Sequence, residues 1–139
     1  MKASLFYRVA SVLLLLFALG HTLGFRKVDP KWRVDSLVQS MQSTQFNANG
    51  SDRTYWDFYV GFGLFVSVLM VFAAVVAWQL GGLPGDTLAA MRLVAWGFVV
   101  CFAVVAFLSW RYFFMVPVVF SLGIVLCLGI GAWLSGASR

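Results

Sequence analysis

The 139-residue sequence contains no glutamate, one histidine, two cysteines and three prolines, and only 11% of its residues are charged. Each scarcity excludes something. A single histidine, no glutamate and no clustered cysteines cannot supply the three or four ligands of a metal cage. Two-histidine haem ligation cannot be assembled within one such chain. Cys101 and Cys127 both fall inside apolar runs, without the spacing of a redox pair or a zinc motif. No phosphate loop or dinucleotide fingerprint is present, and Gly61-Phe62-Gly63 is too short to stand for one. No metal or cofactor is therefore expected. A soluble domain also needs polar residues to cover its surface, and a chain that is 62% hydrophobic does not have them.

What is present is four long apolar runs, Leu5–Phe25, Phe58–Leu80, Leu88–Leu108 and Pro117–Leu134. Each approaches the roughly 20 residues that a helix needs to cross a bilayer core about 30 Å thick. The expected fold class is an all-α integral membrane protein, a four-transmembrane-helix bundle forming one domain over residues 1–139. The spans run over about 5–25, 55–80, 87–108 and 117–134. The start also has the layout of a secretory signal, with Ala18-Leu19-Gly20 as a cleavage tripeptide. Arg8 sits late for that, and the apolar run continues past Gly20, which favours a retained first span. The formal net charge is +5. The basic residues stand at the ends of apolar runs, where lipid headgroups suit them, and no nucleic-acid partner is expected.

The one sizeable polar stretch runs from Val28 to Arg53. Asp29-Pro30 reads as a helix start, and Val34, Leu37, Val38 and Met41 share one helical face. This predicts an amphipathic helix over about 30–44, lying at the membrane interface or over the mouth of the bundle, with Trp32 as an anchor. Asn47-Ala48-Asn49-Gly50-Ser51 reads as a turn. Thr54 and Asp57 form a capping-box pattern before the second span, and Tyr55, Trp56 and Tyr59 make an aromatic belt there. Asp86 is expected to cap the third span. Gly97 with Cys101, and Gly123, Cys127, Gly131 and Ser135, recur at four-residue steps that let membrane helices approach closely.

Orientation is pulled both ways. Lys2, Arg8, Arg92 and Arg139 fall on one side, and Arg26, Lys27, Lys31, Arg33, Arg53 and Arg111 on the other. That count favours a cytoplasmic first loop, whereas the basic, signal-like N-terminus favours the reverse.

Alternating spans would gather His21, Thr22, Arg53, Tyr55, Asp57, Tyr59, Arg111 and Tyr112 at one membrane face. His21 lies about one helical turn inward of Arg26. An ionisable side chain inside a span is costly and marks a candidate site, with Asp57 as its expected partner. The bland alternative is a neutral imidazole bonded to a backbone carbonyl or a tyrosine, gluing helices together. The other candidates have plain roles as well, Asp57 as a cap and Arg111 as a headgroup anchor.

Three stretches, Gly20-His21-Thr22-Leu23-Gly24-Phe25, Phe58-Tyr59-Val60-Gly61-Phe62-Gly63-Leu64 and Ala77-Trp78-Gln79-Leu80-Gly81, together resemble a family of small bacterial four-helix inner-membrane proteins with no assigned activity. The resemblance covers roughly residues 1–82. It implies a multi-pass protein of the bacterial cytoplasmic membrane and points to no reaction.

The functional expectation is an accessory or ligand-binding module. Its partners would be membrane lipids, a lipophilic small molecule (a lipid or quinone-like compound) held by His21, Thr22, Tyr55, Tyr59, Arg111 and Tyr112, and a larger membrane complex or further copies of itself. The alternative is a small membrane enzyme on a lipophilic substrate, with His21 as acid or base, Asp57 orienting it and Arg111 steadying negative charge. A third reading is a proton-linked transporter acting as an oligomer, which lacks a mid-span acidic residue among its five aspartates. A channel is disfavoured, because no span carries a continuous polar stripe.

Overall fold

The structure is a computed structural model that describes residues 2–136, with the backbone alone at Lys2. Arg139, one of the four basic residues on the first side, lies outside the described residues. The elements are α1 (Lys2–Gly24), α2 (Asp35–Ser43), β1 (Gln45–Ala48), β2 (Ser51–Thr54), α3 (Tyr55–Gly82), α4 (Gly85–Ala90), α5 (Arg92–Tyr112) and α6 (Met115–Gly136). Four of these helices, α1, α3, α5 and α6, are long and apolar enough to cross a membrane. Only 22–33% of their most apolar windows is buried within the structure. Leucine, valine and phenylalanine cover the remaining helix faces; Leu93, Phe65 and Leu126 are each more than 60% exposed. Helices with such faces satisfy their own backbone groups and leave apolar side chains for a lipid solvent.

The element boundaries refine the sequence expectations. The helix expected over 30–44 is broken in two. Asp29 caps a single 3-10 turn over Pro30–Trp32 by accepting from the Lys31 amide at 2.9 Å. Arg33 then adopts a left-handed conformation (φ 51°), and α2 starts only at Asp35. The turn expected at Asn47–Ser51 is the tip of an antiparallel hairpin in which Ala48 pairs with Ser51. Asn49 and Gly50 both have positive φ, as a two-residue hairpin loop requires. Asp86 does not cap the third span; Pro84 holds the N-cap position and Asp86 lies in the first turn of α4. Met91 separates α4 from α5. The fourth span begins at Met115, so Pro117 sits in its first turn, where its missing N–H has no intrahelical acceptor to lose.

Backbone packing divides the chain into two compact units, Met1–Phe17 with Met70–Arg139, and Ala18–Leu69. In the first unit, the early part of α1 packs against the late part of α3 and against α6, and α5 packs along α6. The buried residues of α1 (Tyr7, Ala10, Ser11, Leu14, Phe17) follow three- and four-residue steps, one face of a helix. Ser11 Oγ donates to the Ala74 carbonyl at 2.7 Å, and the Ser4 hydroxyl donates to that of Gly81. The backbones approach closely enough that a Cβ at Gly81 would lie 3.0 Å from the Ser4 oxygen. On α6, a Cβ at Gly131 would press on the Tyr7 ring at 3.1 Å, while Phe120 stacks on Phe17 with centroids 5.3 Å apart. The small-residue stripe of α6 thus meets α1. The Gly97–Cys101 pair on α5 does not repeat this: a Cβ at Gly97 would point into open space, and Cys101 is exposed.

The second unit holds the end of α1, α2, the hairpin and the start of α3. Phe46 of β1 docks the hairpin on the first turn of α3, 4.9 Å from the Tyr55 ring and 5.7 Å from Phe58.

Candidate functional site

The site lies within the second unit, where the last turn of α1 meets the first half of α3. Ser67 is its centre. It is buried on α3, and its hydroxyl contacts His21 Nδ1 at 3.0 Å, Thr22 Oγ1 at 2.8 Å and the Gly63 carbonyl at 3.2 Å. Thr22 Oγ1 also reaches the Ala18 carbonyl at 2.7 Å. Thr22 and Ser67 each own one hydroxyl proton, so two proton arrangements satisfy this network. In one, Ser67 donates to the Gly63 carbonyl and accepts from Nδ1–H, leaving Nε2 as an acceptor. In the other, Thr22 donates to Ser67, Ser67 donates to Nδ1, and Nε2–H is a donor. His21 Nε2 has no partner among the described residues. The ring is partly exposed and presents one free polar atom whose sense follows from the serine rotor.

The ring is held on an aromatic wall. Phe25, just past the end of α1, stacks on His21 with centroids 5.1 Å apart and planes inclined by 13°. The Tyr59 ring leans on Phe25 at 5.9 Å, and its hydroxyl donates to the Phe25 carbonyl. This contact satisfies a carbonyl freed where α1 ends. Trp56 continues the wall, 5.3 Å from Tyr59. Arg26 lies over the Phe25 ring at 5.5 Å, a cation on an aromatic face at the rim. Gly63 makes room for all of this, because a Cβ there would overlap the Phe25 ring.

Of the residues expected from sequence, His21, Thr22 and Tyr59 are brought together. Asp57 is not brought to His21. Its Oδ2 accepts from the Thr54 amide at 2.8 Å and from Thr54 Oγ1 at 3.0 Å, and its amide donates to Thr54 Oγ1 at 3.1 Å, a reciprocal capping box. It precedes Ser67 by ten residues on one helix, about 15 Å along the axis. The carboxylate is thus occupied by the cap, and a serine stands beside the imidazole. Tyr55 packs on Phe46 of the hairpin. Arg111 and Tyr112 end α5 in the other unit, with the guanidinium over the Tyr112 ring at 5.1 Å. Ser67 and Phe25 are site residues that the sequence does not single out. The available signal for Ser67 was a lone hydroxyl one turn beyond Gly63 in an otherwise apolar run.

No protein-family model, no curated protein and no solved structure matches the chain.

Proposed function

We propose that the protein spans a bacterial cytoplasmic membrane four times, with its spans packed as a bundle, and that it serves as an accessory module holding a lipophilic small molecule at His21. The motif resemblance supports the bacterial setting, and the four long apolar helices support the multi-pass one. In this reading α2 rests at headgroup depth with Leu37, Val38 and Met41 toward the apolar side, and Trp32 anchors the preceding turn.

The observation that carries the ligand is the His21 ring, fixed through Nδ1 by Ser67 and stacked on Phe25, with Nε2 free of partners among the described residues. A flat ligand with a carbonyl or hydroxyl on its ring, of the quinone or quinol type, suits both features. The aromatic wall takes the ring face, and Nε2 meets the polar atom as donor or acceptor according to the Ser67 rotor. A lipid carbonyl would use the same contact. Further subunits of a membrane complex, or copies of the same chain, would cover the helix faces left apolar.

The test is extraction of the full chain in a mild detergent, followed by mass spectrometry of what travels with it. A stoichiometric lipophilic passenger in the wild type that is lost in His21→Ala is the expected result. Bare, monodisperse protein with no passenger and no partner subunit defeats the proposal.

A further inference from the structure

A second place in the molecule has the composition of a ligand seat, and it lies wholly within the first unit. Arg92 opens α5, Trp96 stands one turn behind it, and Ala132, Trp133 and Gly136 belong to the last turns of α6. These five residues line a groove of about 370 Å³, within the range of small-ligand pockets, about 300–1,000 Å³. We propose that it seats the phosphate of an anionic phospholipid, with Arg92 as the cation and the two indoles as flanks. The inference rests on the membrane-spanning reading above and is independent of the ligand at His21.

Three observations support it. First, Arg92 is exposed and its guanidinium makes no hydrogen bond or ion pair with any of the described residues, so its planar donor fork is available for a phosphate. Second, none of the described residues that line the groove is acidic. A zwitterionic headgroup would bring an ammonium beside the guanidinium with nothing to offset it, whereas an anionic headgroup brings only the phosphate charge. Third, the groove opens onto apolar tracks. Stepping inward from Trp96 along the same face of α5 reaches Val100 and Val104, and from Trp133 along α6 reaches Ile130 and Leu126. All four are exposed, and acyl chains laid along them would continue from a headgroup held at the mouth. The groove sits at the start of one span and the end of the next, the depth at which indoles and arginines meet headgroups. Basic sites between membrane helices select anionic lipids by the same electrostatics.

The experiment is tryptophan quenching in the full chain, reconstituted with phosphatidylglycerol or phosphatidylcholine carrying brominated acyl chains. Trp96→Phe and Trp133→Phe identify the share due to the groove among the six tryptophans. That share should be quenched several-fold more by phosphatidylglycerol. Arg92→Gln should abolish the preference, and Arg92→Lys should retain part of it. Equal quenching by the two lipids, unchanged in Arg92→Gln, would mean that Arg92 only reaches into bulk headgroups, and would overturn the proposal. Displacement of the brominated lipid by inorganic phosphate alone would assign the seat to free phosphate and overturn the lipid. Absence of quenching by either lipid would instead strike at the membrane-spanning reading itself.

Discussion

The ring of Phe25 occupies the space that a side chain at Gly63 would need. The ring is also in contact with two others, His21 stacked on it at 5.1 Å and Tyr59 tilted against it at 5.9 Å. Gly63→Ala must therefore displace a constrained ring, an overpacking change that costs about 1–3 kcal/mol. Gly61, two residues away on the same helix, has open space around it, so Gly61→Ala should be neutral or slightly stabilising through helix propensity. Thermal unfolding in detergent checks the pair. The double variant Gly63→Ala, Phe25→Ala should recover part of the loss relative to the sum of the single changes, because the clash disappears with the ring. Equal midpoints for Gly63→Ala and Gly61→Ala would show that Phe25 does not occupy that space.

The expected partner of His21 and the observed one make opposite predictions. Ser67→Ala removes the hydroxyl shared by His21 and Thr22, and a hydrogen bond of this kind inside a membrane protein contributes about 1 kcal/mol. Freed of its hydroxyl partner, His21 Nδ1 should show a shifted nitrogen NMR resonance, and the imidazole should lose its hold on any passenger. Asp57→Ala should cost about 0.5–2 kcal/mol through the lost helix cap. It should leave passenger retention at the wild-type level. Loss of the passenger in Asp57→Ala with retention in Ser67→Ala would restore the carboxylate as the imidazole's partner.

The four long apolar helices were legible because run length and apolarity alone decide them. The capping box was equally legible, since Thr54 and Asp57 bond within one turn and need no distant partner. His21 stood out because an imidazole in an apolar run is conspicuous. Its partner was not legible, because pairing across helices depends on the register of α1 against α3. That register is set where small residues permit contact, at Gly63 against Phe25. Charge drew attention to Asp57, whereas a neutral serine made the contact. The hairpin was missed for another reason. Asn49-Gly50 is a strong two-residue loop signal, yet the flanking Gln45–Ala48 and Ser51–Thr54 lack the alternation of a half-buried strand. Phe46 seats the hairpin on aromatic residues that belong to the next helix.

The hairpin tip allows a direct check. Gly50 holds φ +87°, a conformation that side chains disfavour, and its amide donates to Asn47 Oδ1 at 2.9 Å. Gly50→Ala should destabilise the hairpin by about 1 kcal/mol. The signature should be faster amide exchange across Gln45–Thr54, with α3 amides beyond its first turn unaffected. A chain whose exchange is unchanged at the hairpin has a different loop.

Two buried serines of the first unit should respond to alanine in opposite directions. Ser11 Oγ donates across the α1–α3 contact to the Ala74 carbonyl, so Ser11→Ala deletes an interhelical hydrogen bond and should lower stability by about 1 kcal/mol. Ser121 on α6 is fully buried, and its hydroxyl has no hydrogen-bond partner among the described residues. Leaving such a group unsatisfied costs about 1–3 kcal/mol, so removing it should help. Ser121→Ala should therefore raise the unfolding midpoint, offset only by the small void left by one oxygen. Steric trapping or thermal unfolding in the same detergent compares the two directly. If Ser121→Ala is as damaging as Ser11→Ala, the Ser121 hydroxyl is bonded in the membrane, to water or to a second molecule, and α6 is the helix on which to look for that contact.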